Sequence, residues 1–207
     1  MEKLSTKAAD FFVQNKVIEE EEYDICRYGL EIMLSSAGDI ILLMLLGMLF
    51  HRTLETGIYL AVFCSLRRYT GGYHARTRLG CRMATLAGYL LFIMEIRMFA
   101  SNMVLFDSTP VVMGIIYIIC LGVIFYIAPI EHCNKPLTEM KKRKNRRGAL
   151  GEMFLLGGGI VFSYSNLPAV SFAILVTLIE VALLIIIGRR ENGRKKEACQ
   201  ADCQYCD

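Results

Sequence analysis

The apolar positions of this chain fall in blocks rather than at regular amphipathic intervals. Six blocks stand out: about 29–50, "GLEIMLSSAGDIILLMLLGMLF"; about 54–66, "LETGIYLAVFCSL"; about 79–98; about 110–130, "PVVMGIIYIICLGVIFYIAPI"; about 149–165; and about 168–188, "PAVSFAILVTLIEVALLIIIG". A surface helix of a soluble domain keeps a polar face, and these blocks do not, so they predict helices suited to lipid. Four approach the ~20 residues that span a bilayer at about 1.5 Å per residue. The second is short, and must thin the bilayer locally or borrow residues from the following loop. The fifth starts on polar residues and carries "LLGGGI", a glycine run that lets helices approach closely. These two are the weakest span predictions. The expected fold is all-α, a polytopic membrane protein of about six segments.

The flanks differ in character. In residues 1–28, Leu4, Ala8, Phe11, Phe12 and Ile18 recur at roughly helical spacing among charged residues. That pattern suits an amphipathic helix lying on a membrane surface, and equally a helix capping the loops. The stretch has no long apolar core and no small-residue cleavage site, so it does not read as a cleavable signal peptide. Residues 189–207 form a basic tail containing cysteines. The expected organisation is a 1–28 segment, a 29–188 membrane domain and a 189–207 tail.

Of the 207 residues, 55% are hydrophobic, and the formal net charge of +3 is too small to name a partner. The positions of the charges say more. Arg67, Arg68, Arg76 and Arg78 follow the second block, Lys135 and "KKRKNRR" (141–147) follow the fourth, and "GRRENGRKK" follows the sixth. The intervening loops, around 51–53, 99–109 and 164–167, carry one arginine between them, Arg52. By the positive-inside rule the three basic loops and both termini lie in the cytoplasm. An even number of spans fits that arrangement. No nucleic-acid partner is expected.

The 8 cysteines do not read as a disulfide framework. Cys64 and Cys120 sit inside apolar blocks, where cysteine behaves as a small hydrophobe. Cys133, Cys199, Cys203 and Cys206 fall in segments assigned to the reducing cytoplasm. The tail "CQADCQYC" has thiols at metal-binding spacing but no nearby histidine or second cysteine pair, so no metal is expected. No cofactor is expected either.

One short loop concentrates chemistry. "RRYTGGYHARTRLGC", residues 67–81, holds His74 and Cys81 among Arg67, Arg68, Arg76 and Arg78, with Arg82 following. A free thiol is only slightly ionised at neutral pH. A neighbouring imidazole can take its proton, and guanidinium groups favour the anion. On one continuous helix, seven residues separate the Cα atoms by about 10.5 Å, so a working pair requires the backbone to turn between them. Gly71-Gly72 and Gly80 make irregular backbone inexpensive. Cys81 is then expected near the start of the third span, where a helix N-terminus stabilises a thiolate. A basic loop with an incidental His and Cys is the plainer alternative.

Other polar residues are weaker candidates. His51 lies on the outer, poorly charged side, and His132 and Cys133 are adjacent positions whose side chains point apart on a helix. Asp39, Glu180, Glu31, Glu95 and Glu152 fall in or near the blocks, where ionisable groups carry function or pair with one another. Asp39 or Glu152 could orient His74, although pairing with Arg82, Arg97 or span hydroxyls accounts for them better.

The stretch resembles the signature of the accessory gene regulator B (AgrB) family, membrane endopeptidases that process quorum-sensing peptide precursors. The pattern R-x4-G-x-H-x6-C is met by Arg67, Gly72, His74 and Cys81. The likeness extends to the charged N-terminal segment, the six apolar blocks and the basic second cytoplasmic loop introduced by "NKPL" (134–137). The resemblance implies that Cys81 and His74 are catalytic and that Arg67 and Gly72 support them. It implies a short precursor with an amphipathic leader, an internal signal segment and an acidic tail, and a homodimer in the bilayer. Cys81 would cut at the signal segment's end, leaving a thioester that closes to a thiolactone or lactone. Lys141, Lys142 and Arg143 are then candidates to hold the acidic tail, besides orienting the chain and contacting anionic lipid. The rival from another class is a small peptide transporter, for which Asp39 and Glu180 would matter more than Cys81.

Overall fold

The computed structural model describes residues 2–15, 22–71, 78–101, 109–130 and 138–203. Among them the chain is all-helical: α1 (Glu2–Gln14), α2 (Tyr23–Leu49), α3 (Thr53–Thr70), α4 (Arg78–Ser101), α5 (Thr109–Ile127), α6 (Glu139–Asn166) and α7 (Pro168–Cys203). They divide into two compact units, Met1–Thr53 and Leu54–Asp207. Among the described residues, four helical stretches are long and apolar enough to cross a membrane: Tyr23–Leu49, Gly80–Ala100, Pro110–Ile127 and Pro168–Glu191. The blocks with the weakest span signal became α3 and α6, and neither is among those four.

In the first unit α1 packs on α2, and the Tyr23 hydroxyl donates to Asp10 Oδ1 at 2.8 Å. Ser5 and Ala9, one turn apart on α1, are buried. The helix stops at Gln14, and Phe11, expected on its apolar face, is exposed. Ile18 lies outside the described residues. Along α2, Ile32, Met33, Ile40, Ile41, Leu45 and Met48 are exposed, an apolar surface suited to lipid.

In the second unit α7 is the central post. Ser171, Ala173 to Leu178, Val181, Ala182 and Ile185 are buried around its whole circumference, as expected of a helix apolar on every side. Helices α4, α5 and α6 pack against it. On α4, Tyr89, Phe92, Ile93 and Ile96 are buried, and their 3-1-3 spacing marks one face of a helix. Helix α3 is polar for its place because its polar groups turn inward: Glu55, Thr56, Tyr59 and Thr70 are all buried.

The α6–α7 hairpin turns at Leu167, and Pro168 opens α7, a position whose missing N–H costs nothing. Ser163 and Ser171 hydroxyls bond across it at 2.7 Å, and Ser171 also donates to the Ile160 carbonyl at 3.1 Å. The glycine run serves this packing. Tyr117 of α5 donates to the Met153 carbonyl at 2.7 Å, and a Cβ on Gly157 would lie 2.6 Å from its hydroxyl.

The basic stretch 141–147, expected as a loop, is helical. It forms the first turns of α6, whose 28 residues extend about 42 Å, more than the ~30 Å hydrocarbon core. The basic residues after the sixth block likewise continue α7 as far as Cys203.

Candidate active site

Helix α3 ends as its sequence directs. Gly71 takes φ 70°, the left-handed conformation glycine adopts most readily, and its N–H donates to the Arg67 carbonyl at 3.1 Å. A Cβ at this position would also lie 3.3 Å from the Ile130 carbonyl oxygen. The Ile130 N–H donates to the Thr70 carbonyl at 3.0 Å, tying the end of α3 to the chain that follows α5. Residues 72–77 lie outside the described residues, and with them His74 and Gly72. Helix α4 starts at Arg78, which puts Cys81 in its first turn, as expected. The Cys81 carbonyl accepts from Thr85 Oγ at 3.1 Å.

Cys81 and Arg67 line the same cavity, of about 260 Å³, between α3, α4 and α7. Two antiparallel stretches run along it: Arg67 to Tyr59 on α3, and Cys81 to Gly88 on α4. Cys81 and Arg67 therefore mark one end and Tyr59, Gly88 and Glu180 the other. Phe63, Ala84 and Leu184 line the walls. Leu91 of α4 and Leu183 of α7, both exposed, also line the cavity.

Electrostatics distinguish the two ends. Arg67 is half-buried, and its guanidinium lies 5.3 Å from the centroid of the Phe63 ring. At the far end the Tyr59 hydroxyl donates to Glu180 Oε2 at 3.0 Å. The second oxygen, Glu180 Oε1, is buried and has no hydrogen-bond partner among the described residues. Tyr59 is held in turn by Phe63, Tyr89 and Phe92, with ring centroids 4.6–5.6 Å away. Thr56 and Tyr89 share a hydrogen bond of 2.8 Å.

The structure thus brings Arg67 and Cys81 together. Lys141, Lys142 and Arg143 lie apart from the cavity, on the first turns of α6. Lys141 and Arg143 are exposed, and Lys142 reaches Glu139 at 3.9 Å. Nearby, Arg146 lies over the Phe125 ring at 4.4 Å. Cys64 is exposed on α3 and Cys120 buried on α5, and neither lines the cavity. Nor does Glu152, whose Oε2 is a buried oxygen without a partner among the described residues. Asp39 belongs to the other unit.

Sequence reasoning passed over the small residues Ala84, Thr85, Ala87 and Gly88, which hollow the α4 side of this cavity. For Ala84, Thr85 and Gly88 the spacing from Cys81 was a usable signal. A residue three, four or seven places on shares the cysteine's helix face.

The accessory gene regulator B family profile matches residues 5–188. Among relatives, AgrB-like protein 2 of Clostridium perfringens (strain 13 / Type A) is 30% identical over 149 residues, covering 67% of each chain. An AgrB-like protein of Listeria welshimeri is 28% identical over 195 residues, covering 89% of this chain and 82% of that one. No solved structure matches the chain. A profile match over most of the length, on an all-helical chain with four span-length apolar helices, establishes the lineage: the protein belongs to the accessory gene regulator B family, membrane proteins of quorum-sensing peptide processing.

Proposed function

We propose that the chain is a membrane cysteine endopeptidase with Cys81 as nucleophile and His74 as its base. The observation that carries this reading is the cavity shared by Cys81 and Arg67. It gives the first-turn thiol a cationic neighbour and a space for substrate. The Cys81 thiolate adds to the carbonyl at the end of the signal segment. The C–N bond then breaks, and the departing amine of the tail takes the proton that His74 removed from the thiol. A thiol or hydroxyl of the signal segment next attacks the thioester. It gives its proton to His74, closes the ring and releases Cys81.

Exchange of one thioester for another is close to even in free energy, whereas hydrolysis runs strongly downhill. The intermediate must therefore be kept from water, and the largely apolar lining of the cavity favours that. The substrate is a short precursor with an amphipathic leader and an acidic tail, the tail held by Lys141, Lys142 and Arg143. In this reading α3 and α6 complete six membrane segments, both termini and the active site face the cytoplasm, and the protein works as a homodimer.

The test is co-expression with a precursor of that design, followed by mass spectrometry of the tail and the product. The native chain should yield a free tail and a product one water lighter than the linear leader–signal fragment. Cys81→Ala should yield neither while still accumulating in the membrane. Cleavage by Cys81→Ala would end this reading.

A further inference from the structure

The cavity is larger than a thiol and its attacking partner require. It extends from Cys81 to Gly88 and beyond, about 10.5 Å along α4. Its volume of about 260 Å³ exceeds the roughly 150 Å³ of an engineered apolar cavity that accepts benzene. Aromatic and aliphatic side chains make its walls, and two of the lining leucines, Leu91 and Leu183, are exposed. A cavity of this kind beside a nucleophile has an evident occupant: the side chain of the residue whose carbonyl is attacked.

We infer that this cavity receives the substrate side chain immediately before the scissile bond, that it selects a long apolar side chain up to aromatic size, and that Gly88 sets its depth. The inference rests on Cys81 being the nucleophile. Once the carbonyl is bonded to the thiol at one end, the attached side chain lies within reach of the walls made by Phe63 and Ala84. The floor is the Tyr59–Glu180 pair, bonded at 3.0 Å. A Cβ added at Gly88 would sit 3.5 Å from Glu180 Oε2 and 3.8 Å from the Tyr59 hydroxyl. Those are ordinary contact distances, so alanine fits there without disturbing the pair. A larger side chain at the same position would fill the far end. In apolar pockets a single methylene changes discrimination by about tenfold or more, so this one position can set the preferred substrate size.

Peptidyl chloromethyl ketones ending in alanine, leucine or phenylalanine test the proposal without a natural substrate. Each alkylates a thiol at a rate governed by how its last side chain is seated, the sulfur displacing chloride. With the native protein in nanodiscs, peptide mapping should place the label on Cys81, with phenylalanine and leucine reacting at least about tenfold faster than alanine. Gly88→Ala should cut the phenylalanine rate several-fold and leave leucine nearly unchanged. Gly88→Leu should abolish the advantage of both long side chains while alanine still reacts. Equal rates for all three reagents, or an unaltered preference in Gly88→Leu, would overturn the pocket and leave Cys81 as nucleophile. If iodoacetamide labels Cys81 but none of the ketones does, the reading of Cys81 falls and the pocket with it.

Discussion

The ring of Tyr69, two residues before Gly71 at the end of α3, fills the space that a side chain at Gly148 of α6 would need. A Cβ on Gly148 would lie 2.6 Å from two of its ring carbons. This contact joins the helix carrying the basic cluster to the helix that leads into the segment containing His74. Gly148→Ala should therefore destabilise the protein by about 1–3 kcal/mol, as overpacking does. Tyr69→Ala in the same chain should recover part of that loss, because the clash is removed. Thermal unfolding of the single and double variants in detergent measures both. Strictly additive losses would mean that the two residues do not compete for space.

Tyr59 supplies the only hydrogen bond recorded for the Glu180 carboxyl among the described residues. Tyr59→Phe keeps the aromatic packing and leaves both oxygens without a donor, at a cost of about 1–3 kcal/mol. Adding Glu180→Leu should recover much of it, since a buried polar pair replaced on both sides by apolar groups is often nearly neutral. Chemical unfolding of the two variants decides between this and a purely aromatic role for Tyr59.

If His74 is the base, His74→Ala should slow precursor cleavage by about 10²–10⁴-fold. His51→Ala and His132→Ala should cleave normally, as should variants lacking Cys64 or Cys120. Single-turnover cleavage assays separate these outcomes. Near-native rates for His74→Gln would remove it from the mechanism.

The proposed orientation places positions 70, 140 and 195 inside the cell and 53, 105 and 166 outside. Single cysteines at the first three, in a background otherwise free of cysteine, should resist a membrane-impermeant thiol reagent in intact cells, and those at the last three should react. Labelling at position 70 from outside would put the site on the wrong face.

The exposed cations at the start of α6 predict a salt-sensitive capture step. Replacing Lys141, Lys142 and Arg143 with Gln should weaken capture of an acidic-tailed precursor more than it slows cleavage. Neutralising the tail should give a similar loss, and the two changes together should cost less than their sum. Higher salt should weaken the native pairing, because exposed charges are screened over about 8–10 Å near physiological ionic strength. Additive losses in nanodiscs, where insertion is already complete, would leave the cluster as an orientation signal alone.

The sequence made the helices visible and the cavity nearly invisible, for physical reasons. Block hydropathy reports which segments prefer an apolar environment, so α2, α4, α5 and α7 were plain. It underrates α3 because Thr56 and Tyr59 bond Tyr89 and Glu180 inside the bundle, and Thr70 bonds the Leu66 carbonyl of its own helix, instead of facing lipid. It took "KKRKNRR" for a loop because charge count carries no helical period, and the stretch continues an apolar helix beyond the expected span. Cys81 and Arg67 could be singled out from local chemistry, since both lie in one short stretch. Glu180 could not be joined to them, because its partner Tyr59 is 121 residues away and no local pattern encodes that pairing.

That separation also bears on how the molecule is made. A ribosome working at about 5–20 residues per second completes Tyr59 roughly 6–24 seconds before Glu180. Throughout that interval the phenol of α3 lacks the carboxyl that finally accepts its hydrogen bond. The cavity beside Cys81 therefore acquires its floor only after Glu180 of α7 has been translated.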